Sequence, residues 1–340
     1  MTIRGIKCYV VKFLTVTKSI LMKKTVLVLL FALTGLLHIR AEISVVRDSI
    51  QKQTFLYAVK EADSLFLDCW INPTIQSEGK HPVLMFVFGG GFMHGERWLD
   101  FYDPYFRHFT EQGFMVVSID YRLGMKKANE AGQLTNETFA NALVYALTIA
   151  VEDLADATAF IINKADELNI DINKIIASGS SAGAITCLLT EYEICNQTEI
   201  SKRLPQNFNY AGVISFAGAI LTTGDNLKWE KSPCPLLLFH GDGDNYVPYN
   251  VIREGGFGGF GSKYISDQLT QRNKSHWFYS VENAAHEMAE NPMRENLNEL
   301  DTFIDKMIFN QQIMIIQTTI KQPDKPEIRK DYTKISDFIH

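Results

Sequence analysis

The chain has 340 residues, 46% of them hydrophobic, which is enough to bury one large core or two smaller ones. Its formal net charge is −6, but residues 1–41 hold seven Lys or Arg and no acid, so the remainder carries 26 basic and 39 acidic residues, a net −13. A body this acidic repels polyphosphates and anionic lipids, which argues against nucleic-acid binding and against membrane-surface binding.

The first feature along the chain is a leader-like segment. It starts at Met22 with two lysines, continues as an apolar run over Val26–Leu37 and closes on the small residue Ala41. Twelve apolar residues are short for a membrane span, and this order is typical of a secretory signal peptide. We therefore predict that Met22 is the true start, that 1–41 form an N-terminal extension and signal peptide, and that the cleaved protein is exported, either periplasmic or secreted, without stable membrane insertion. An uncleaved anchor is the alternative.

The rest of the chain alternates short apolar runs with helical stretches. Strands are predicted over Phe55–Val59, Ser64–Ile71, Val83–Phe88, Met115–Ile119, Lys174–Ser178, Gly212–Phe216, Leu236–His240 and Trp277–Val281. Helices are predicted over Tyr102–Gln112, Thr138–Glu167 (one helix or two), Ala182–Cys195, Tyr264–Arg272 and Pro292–Phe309. This alternation predicts an α/β fold with a mainly parallel sheet and helices on both faces. The polar, weakly patterned residues 311–340 are predicted to be a C-terminal tail.

A glycine-rich turn follows the third predicted strand, in "PVLMFVFGGGFMHGE", residues 82–96. Backbone N–H groups of Gly90 and Gly91 can point at an anionic oxygen there without side-chain obstruction, joined by the N–H of Ala182 further along the chain. These three residues are the predicted oxyanion hole. The alternative is a flexible turn.

The stretch "KIIASGSSAGAITCLLT", residues 174–190, combines an apolar run, a Gly-x-Ser-x-Gly pattern and a helical spacing. A nucleophilic serine needs a tight strand-to-helix turn that holds it in strained backbone geometry above the sheet. Gly179 and Gly183 frame the pattern only if Ser181 is its centre, because Ser180 has Ser and Ala at the framing positions. Ser181 is therefore the predicted nucleophile, and an ordinary Gly/Ser-rich connection is the alternative.

A serine hydroxyl needs a base, and the base needs an acid to orient it. In "PLLLFHGDGDNYVP", residues 235–248, Asp244 is the preferred acid and Asp242 its rival. The alternative is that this loop is a solvated Asx turn without a catalytic role. His286 follows a strand and precedes the last helix, where a neutral imidazole can reach both partners. Among the other histidines, His240 is expected to pack near the site. The order Ser181, Asp244, His286, each after a successive strand, predicts a catalytic triad.

Two further patterns do not predict a ligand. The glycines of "GGFGGFG", residues 255–261, match a dinucleotide fingerprint by letters but follow no clear strand, and they are expected to form a mobile loop. His286 and Glu287 do not form a His-Glu-x-x-His site, and no other cluster suggests a metal. We therefore predict no metal and no cofactor.

Four cysteines follow residue 41: Cys69, Cys187, Cys195 and Cys234. Four are too few for a disulfide scaffold, and the sequence leaves open whether any of them pair.

Together these motifs resemble the α/β-hydrolases, in particular bacterial, exported members of the carboxylesterase/lipase branch with a His-Gly-Gly-Gly-type oxyanion loop. The resemblance covers about Val45 to Phe309 and rests on "FGGGF" (88–92), "SIDYRL" (118–123), "GSSAG" (179–183), "HGDGDNYVP" (240–248) and "AAHEM" (284–288). It implies an eight-stranded, mostly parallel sheet in a catalytic domain over 42–310. Phe88 stands where the branch has His, which bears on the geometry of the loop. Asp120, Tyr121 and Arg122 are expected to brace the loops from behind.

The predicted function is a carboxylesterase-like serine hydrolase that acts on short-chain or carbohydrate-linked acyl esters through an acyl-enzyme. Its predicted partner is a small ester or acylated carbohydrate, and no nucleic acid. A serine peptidase of the same fold and a non-catalytic, hydrolase-like binding module are the alternatives. A set of aromatic residues could line the substrate pocket, although such residues near a sheet are often core: Phe92, Trp98, Tyr121, Phe257 and Phe260.

Overall fold

The computed structural model describes residues 49–338, except 62, 76–78 and 136. The predicted N-terminal extension and signal peptide over 1–41 lie outside the described residues. The unit described below begins at Gln51.

Twelve strands and seven helices make up this unit in the described residues. The strands are β1 (Gln51–Lys60), β2 (Asp63–Ile71), β3 (His81–Val87), β4 (Met115–Ile119), β5 (Ile170–Ser180), β6 (Gly212–Phe216), β7 (Ala219–Thr223), β8 (Leu236–Gly241), β9 (Val251–Glu254), β10 (Phe257–Gly261), β11 (His276–Val281) and β12 (Ile315–Ile320). The helices are α1 (Asp103–Thr110), α2 (Lys126–Glu130), α3 (Phe139–Asn163), α4 (Ala182–Cys195), α5 (Ser262–Gln271), α6 (Pro292–Glu295) and α7 (Leu297–Phe303). Single turns of 3₁₀ helix occur at Asp100–Tyr102, Ile200–Arg203, His286–Ala289 and Ile335–Phe338, and a π-helical turn over Ile304–Phe309 continues α7.

Nine of the strands form one sheet in the order β1-β2-β4-β3-β5-β6-β8-β11-β12. The pairs β1–β2 and β2–β4 are antiparallel, and every later pair is parallel. Every residue of β4, β6 and β8 is buried. Successive side chains of a strand point to opposite faces, so uniform burial requires that both faces of the sheet are covered. The predicted α/β architecture with a mostly parallel sheet is confirmed.

The C-terminal residues depart from the predicted tail. Strand β12 pairs in parallel with β11, from His276 opposite Ile315 to Val281 opposite Ile320. The sheet therefore has nine strands instead of eight, and a domain boundary at 310 would remove its last strand. Residues beyond β12 return to the sheet edge, where Lys330 forms an ion pair of 2.9 Å with Asp242.

Two smaller differences concern local elements. The glycine-rich residues 255–261, predicted as a mobile loop, contribute β10, which pairs antiparallel with β7 and β9 in a separate three-stranded sheet. The long helical stretch after residue 138 forms one helix, α3, rather than two.

Candidate active site

Ser181 lies at a sharp turn between β5 and α4. Its backbone has φ of 52° and ψ of −118°, a left-handed conformation that non-glycine residues seldom adopt. Its N–H donates to the carbonyl oxygen of Phe216 on the neighbouring strand at 2.8 Å. Strain at a residue held this firmly is typical of a functional position.

The two framing glycines are required by steric contact. A Cβ atom at Gly179 would lie 2.4 Å from the backbone carbon and oxygen of Gly183. A Cβ at Gly183 would lie 2.0 Å from the carbonyl oxygen of Val87, at the end of β3. Close approach of α4 to both strands therefore sets the pattern that the sequence shows, and it centres the turn on Ser181. Ser180, the neighbouring hydroxyl, is 4% exposed.

The three predicted triad side chains meet at the carboxyl edge of the sheet. His286, in the 3₁₀ turn after β11, places its Nε2 atom 2.8 Å from the Ser181 Oγ atom. Its Nδ1 atom lies 2.8 Å from the Asp244 Oδ2 atom. A carboxylate only accepts hydrogen bonds, so Nδ1 carries the ring proton and Nε2 is the atom that accepts from the serine hydroxyl.

Asp244 is fixed by donors on both carboxylate oxygens. Its Oδ1 atom accepts from the backbone N–H groups of Tyr246 and Val247 at 2.8 and 2.9 Å. Burial alone raises the pKa of this carboxyl, but hydrogen bonds from His240 and His286 outweigh burial and hold the pKa well below its ordinary value. The group is therefore an anion at neutral pH, as the orienting partner of a histidine must be.

Asp242, the rival acid, has a different set of partners. Its Oδ1 atom accepts from the N–H of Asn283 at 2.7 Å, and its Oδ2 atom pairs with Lys330. The bond to Asn283 ties the turn after β8 to the turn after β11, and the pair with Lys330 ties it to the segment after β12. Asp242 thus joins the two loops that carry Asp244 and His286.

The predicted oxyanion residues lie on a tightly constrained loop after β3. Gly90 and Gly91 have φ of 119° and 61°, and a Cβ at Gly90 would lie 2.0 Å from the carbonyl oxygen of His94. The N–H groups of Gly90, Gly91 and Ala182 have no acceptor among the described residues, whereas the Gly90 carbonyl accepts from Met93 and His94. Free N–H groups beside a serine are suited to bind an anionic oxygen.

Phe88, at the start of this loop, is buried and holds the loop by packing. Its ring lies 4.6 Å from the ring of Tyr121, centroid to centroid, and its carbonyl oxygen accepts from the Tyr121 hydroxyl at 3.0 Å. A Cβ at Gly95 would lie 2.5 Å from the Phe88 ring. An aromatic ring thus packs against both Tyr121 and Gly95 beneath the loop.

A largely buried ion pair joins the segment after β4 to α3. The guanidinium of Arg122 binds the carboxylate of Asp153, with its shortest bond at 2.8 Å, and the Arg122 N–H donates to the same carboxylate at 2.8 Å. The Asp153 side chain is completely buried. Arg97 binds Asp68 and Asp120 on the adjacent strands at 3.0 and 2.8 Å.

The residues proposed from sequence to line a pocket are mostly core. Phe92, Tyr121 and Phe260 are all buried. Trp98 is half-buried and packs against Trp70 at 4.6 Å between ring centroids.

Tyr246 lies beside the base His286 and was not identified from the sequence. Tyr246 is 55% exposed, and its ring centroid is 5.2 Å from that of His286. Its position two residues after the acid was the available signal.

Other groups do not join this site. His94 is exposed, His108 pairs with Asp301 at 2.7 Å, and His276 lies at the opposite, amino end of β11.

The four cysteines after residue 41 are buried free thiols. In the part of the chain that the structure describes, no cluster of three His, Cys, Asp or Glu side chains is arranged to hold a metal ion. No helix among these residues has both the length and the apolar character needed to cross a bilayer.

Known proteins match the chain in part. The BD-FAE family model matches residues 67–224, which include the glycine loop and Ser181 but precede Asp244 and His286. Fumonisin B1 esterase of Sphingopyxis macrogoltabida is 30% identical over 122 residues, covering 36% of this chain and 22% of that protein. Esterase LipI of Mycobacterium tuberculosis is 30% identical over 112 residues, covering 33% of this chain and 29% of that protein. The chain thus spans less than a third of the length of these curated relatives.

A solved structure matches a larger share of this chain than the curated relatives do. Esterase 2 of Thermogutta terrifontis, with propionate bound, aligns with a TM-score of 0.54 at 19% identity, covering 76% of this chain and 94% of that one. The chain has the α/β-hydrolase fold. In this fold ligands bind outside the carboxyl ends of the strands, which is the edge where Ser181, His286 and Asp244 meet.

Proposed function

We propose that the chain is a serine carboxylic-ester hydrolase. The observation that carries this proposal is the continuous hydrogen-bond relay from Asp244 through His286 to Ser181, with both contacts at 2.8 Å. Ordinary surface serines have no oriented base, and a structural hydrogen bond does not require strained backbone at the serine.

The proposed reaction begins when the Ser181 Oγ atom attacks the ester carbonyl carbon and its proton passes to His286 Nε2. The resulting imidazolium lies next to the Asp244 anion, which stabilises its charge. His286 then gives the proton to the leaving alcohol, and an acyl-enzyme remains on Ser181. Water enters, transfers a proton to His286 and releases the acid by the same steps in reverse.

The tetrahedral intermediate places a negative charge where the ester carbonyl oxygen was. The N–H groups of Gly90, Gly91 and Ala182 are the proposed donors to this oxygen, and each donor of this kind contributes ~3 kcal/mol to the transition state. Their rigidity matters because donors that are already oriented do not reorganise during the reaction. Phe88 and Tyr121 supply that rigidity by packing under the loop.

Short acyl esters, free or attached to carbohydrate, are the proposed substrates. The esterase names of the curated relatives support ester chemistry. The structural neighbour from Thermogutta has been solved with propionate and with butyrate bound, which favours short acyl groups. Tyr246 offers an exposed aromatic ring beside His286, where a sugar or short alcohol would leave. The acidic body of the chain disfavours nucleic acid as a partner.

Hydrolysis of p-nitrophenyl acetate, butyrate and octanoate tests the proposal, with Ser181→Ala as the variant and Ser180→Ala as the matched neighbouring control. Loss of a triad nucleophile lowers kcat by roughly 10⁶-fold in serine hydrolases. We expect Ser181→Ala to be inactive with an unchanged melting temperature, and Ser180→Ala to keep most of its activity. Full activity of Ser181→Ala would remove the residue from the mechanism.

The same preparation separates the alternatives. A panel of peptide p-nitroanilides would show faster cleavage than the esters if the chain were a peptidase. A binding module without chemistry would hydrolyse neither class, yet acetylated or feruloylated polysaccharides would still bind to it.

We also propose export with removal of residues 1–41. Expression of the full chain in a bacterial host, followed by N-terminal sequencing of the periplasmic and secreted fractions, tests this. The expected mature protein begins at Glu42, and a full-length protein held in the membrane fraction would contradict cleavage.

A further inference from the structure

A second imidazole contacts the acid of the relay. His240, the fifth residue of β8, is completely buried, and its Nε2 atom lies 3.4 Å from the Asp244 Oδ2 atom. This is the same oxygen that accepts from His286 Nδ1 at 2.8 Å. The ring of Tyr249 packs edge-on against the His240 ring, with 5.7 Å between centroids. No solvent or substrate can reach this histidine directly.

The neighbours of the His240 ring place a proton on its Nε2 atom. Its Nε2 atom faces two acceptors, the Val247 carbonyl oxygen at 3.3 Å and the Asp244 carboxylate, so Nε2 carries a proton. Its Nδ1 atom lies 2.8 Å from the Ser262 Oγ atom at the start of α5. The Ser262 hydroxyl also lies 3.2 Å from the Gly218 carbonyl oxygen, so either atom of the Nδ1–Oγ pair can be the donor. In both cases the Nε2–H of His240 is directed at the acid loop.

We propose that His240 is a positioning residue for Asp244, and thereby for His286. This inference rests on the proposed function. The backbone donors of Tyr246 and Val247 hold the Oδ1 atom, but they leave the carboxylate free to tilt about that end. The Nε2–H of His240 restrains the other oxygen, so Oδ2 stays where His286 Nδ1 needs it. A tilted carboxylate would let the imidazole rotate away from Ser181, and misplacement by about 1 Å can cost up to 10²-fold in rate.

Two conservative substitutions separate positioning from packing. The side-chain nitrogen of Gln can occupy the place of His Nε2 and donate toward Asp244, whereas Asn is shorter and its amide reaches only toward Ser262. We expect His240→Gln to keep kcat within about threefold and His240→Asn to lower kcat by about tenfold or more, with KM unchanged in both because His240 does not touch substrate.

His276 supplies a matched control. It is also completely buried, and its Nε2 atom lies 2.9 Å from the Ser266 Oγ atom on the same helix, α5. It begins β11, at the edge of the sheet opposite Ser181. His276→Gln and His276→Asn should therefore lower the melting temperature without separating in kcat.

A measurement independent of turnover is the low-field proton NMR resonance of the His286 Nδ1–H. The proposal predicts that it persists in His240→Gln and is lost or moved upfield in His240→Asn. Equal kcat values and equal resonances for the two variants would overturn the positioning role. Failure of the wild type to hydrolyse any ester would instead overturn the proposed function, while the resonance would still report whether His240 orients the Asp244–His286 pair.

Discussion

Glu191 is a buried acid on α4 whose substitution should stabilise the protein in a pH-dependent way. Its Oε1 atom accepts from the N–H of Cys234 at 2.8 Å and lies 3.5 Å from the Cys195 Sγ atom. Burial raises the pKa of this carboxyl from 4.5 to about 7, against a smaller lowering by these hydrogen bonds. At neutral and alkaline pH, ionisation of this buried carboxyl destabilises the folded wild type. We predict that Glu191→Gln removes this destabilisation.

The sign follows from proton binding. The folded state holds the Glu191 proton up to about pH 7, whereas the unfolded chain releases it near 4.5. Because the folded state binds more protons between these values, the contribution of this group makes the free energy of unfolding fall as pH rises from about 4.5 to about 7. A pKa difference of about 2.5 at about 1.4 kcal/mol per unit gives a cost of about 3 kcal/mol above this range.

Urea unfolding of the wild type and of Glu191→Gln, at pH values from about 4.5 to 8.5, measures this cost. The variant should match the wild type at the acid end and be more stable by about 3 kcal/mol at the alkaline end. Glu193→Gln, two residues along the same helix and only partly buried, is the control for the chemical change itself. A stability difference that stays constant across the pH range would refute the assignment of a raised pKa to Glu191.

Three further substitutions test the packing around the site. Gly183→Ala places a Cβ 2.0 Å from the Val87 carbonyl oxygen, so we expect loss of ester hydrolysis together with a lower melting temperature. Arg122→Met removes the guanidinium from the buried Asp153 carboxylate, which keeps the backbone N–H of residue 122 as a donor, and should cost about 3–5 kcal/mol in urea unfolding. Lys330→Met removes a partly exposed ion pair and should lower the stability only slightly, an effect that added salt should mask.

Two control substitutions accompany these measurements. Gly79→Ala is the control for Gly183, because a Cβ there meets nothing within 4 Å. Arg203→Met is the control for Arg122, because Arg203 pairs with the partly exposed Asp156 rather than with a fully buried acid. Equal losses in a variant and its control would show that the named contact is not the cause.

The sheet was predictable where burial is uniform. Strands β4, β6 and β8 appear in the sequence as short apolar runs because both of their faces are covered. Strand β12 lies at the sheet edge with most of its residues exposed. Its apolar residues Ile315 and Ile316 are followed by Gln and two Thr, so the sequence gives only a weak strand signal. Strand β10 is three-fifths glycine, and its extended form depends on pairing with β7 rather than on its own side chains.

The position of the nucleophile was predictable because steric limits on the turn around it require glycine at particular positions. Gly179 and Gly183 are needed wherever a helix passes this close to two strands, so the pattern around Ser181 has a physical cause. The pocket wall was not predictable in the same way. Whether an aromatic side chain on a loop faces the core, like Phe92, or the site, like Tyr246, depends on loop conformation that the sequence pattern does not specify.

The most direct test of a nucleophile at this turn is labelling with a fluorophosphonate, followed by digestion and mass-spectrometric mapping of the modified residue. Reaction requires a serine that a neighbouring base activates, so the account predicts a single stoichiometric adduct on Ser181 that disappears in His286→Ala. An adduct mapped to Ser180, or a protein that stays unlabelled at high reagent concentration, would contradict it.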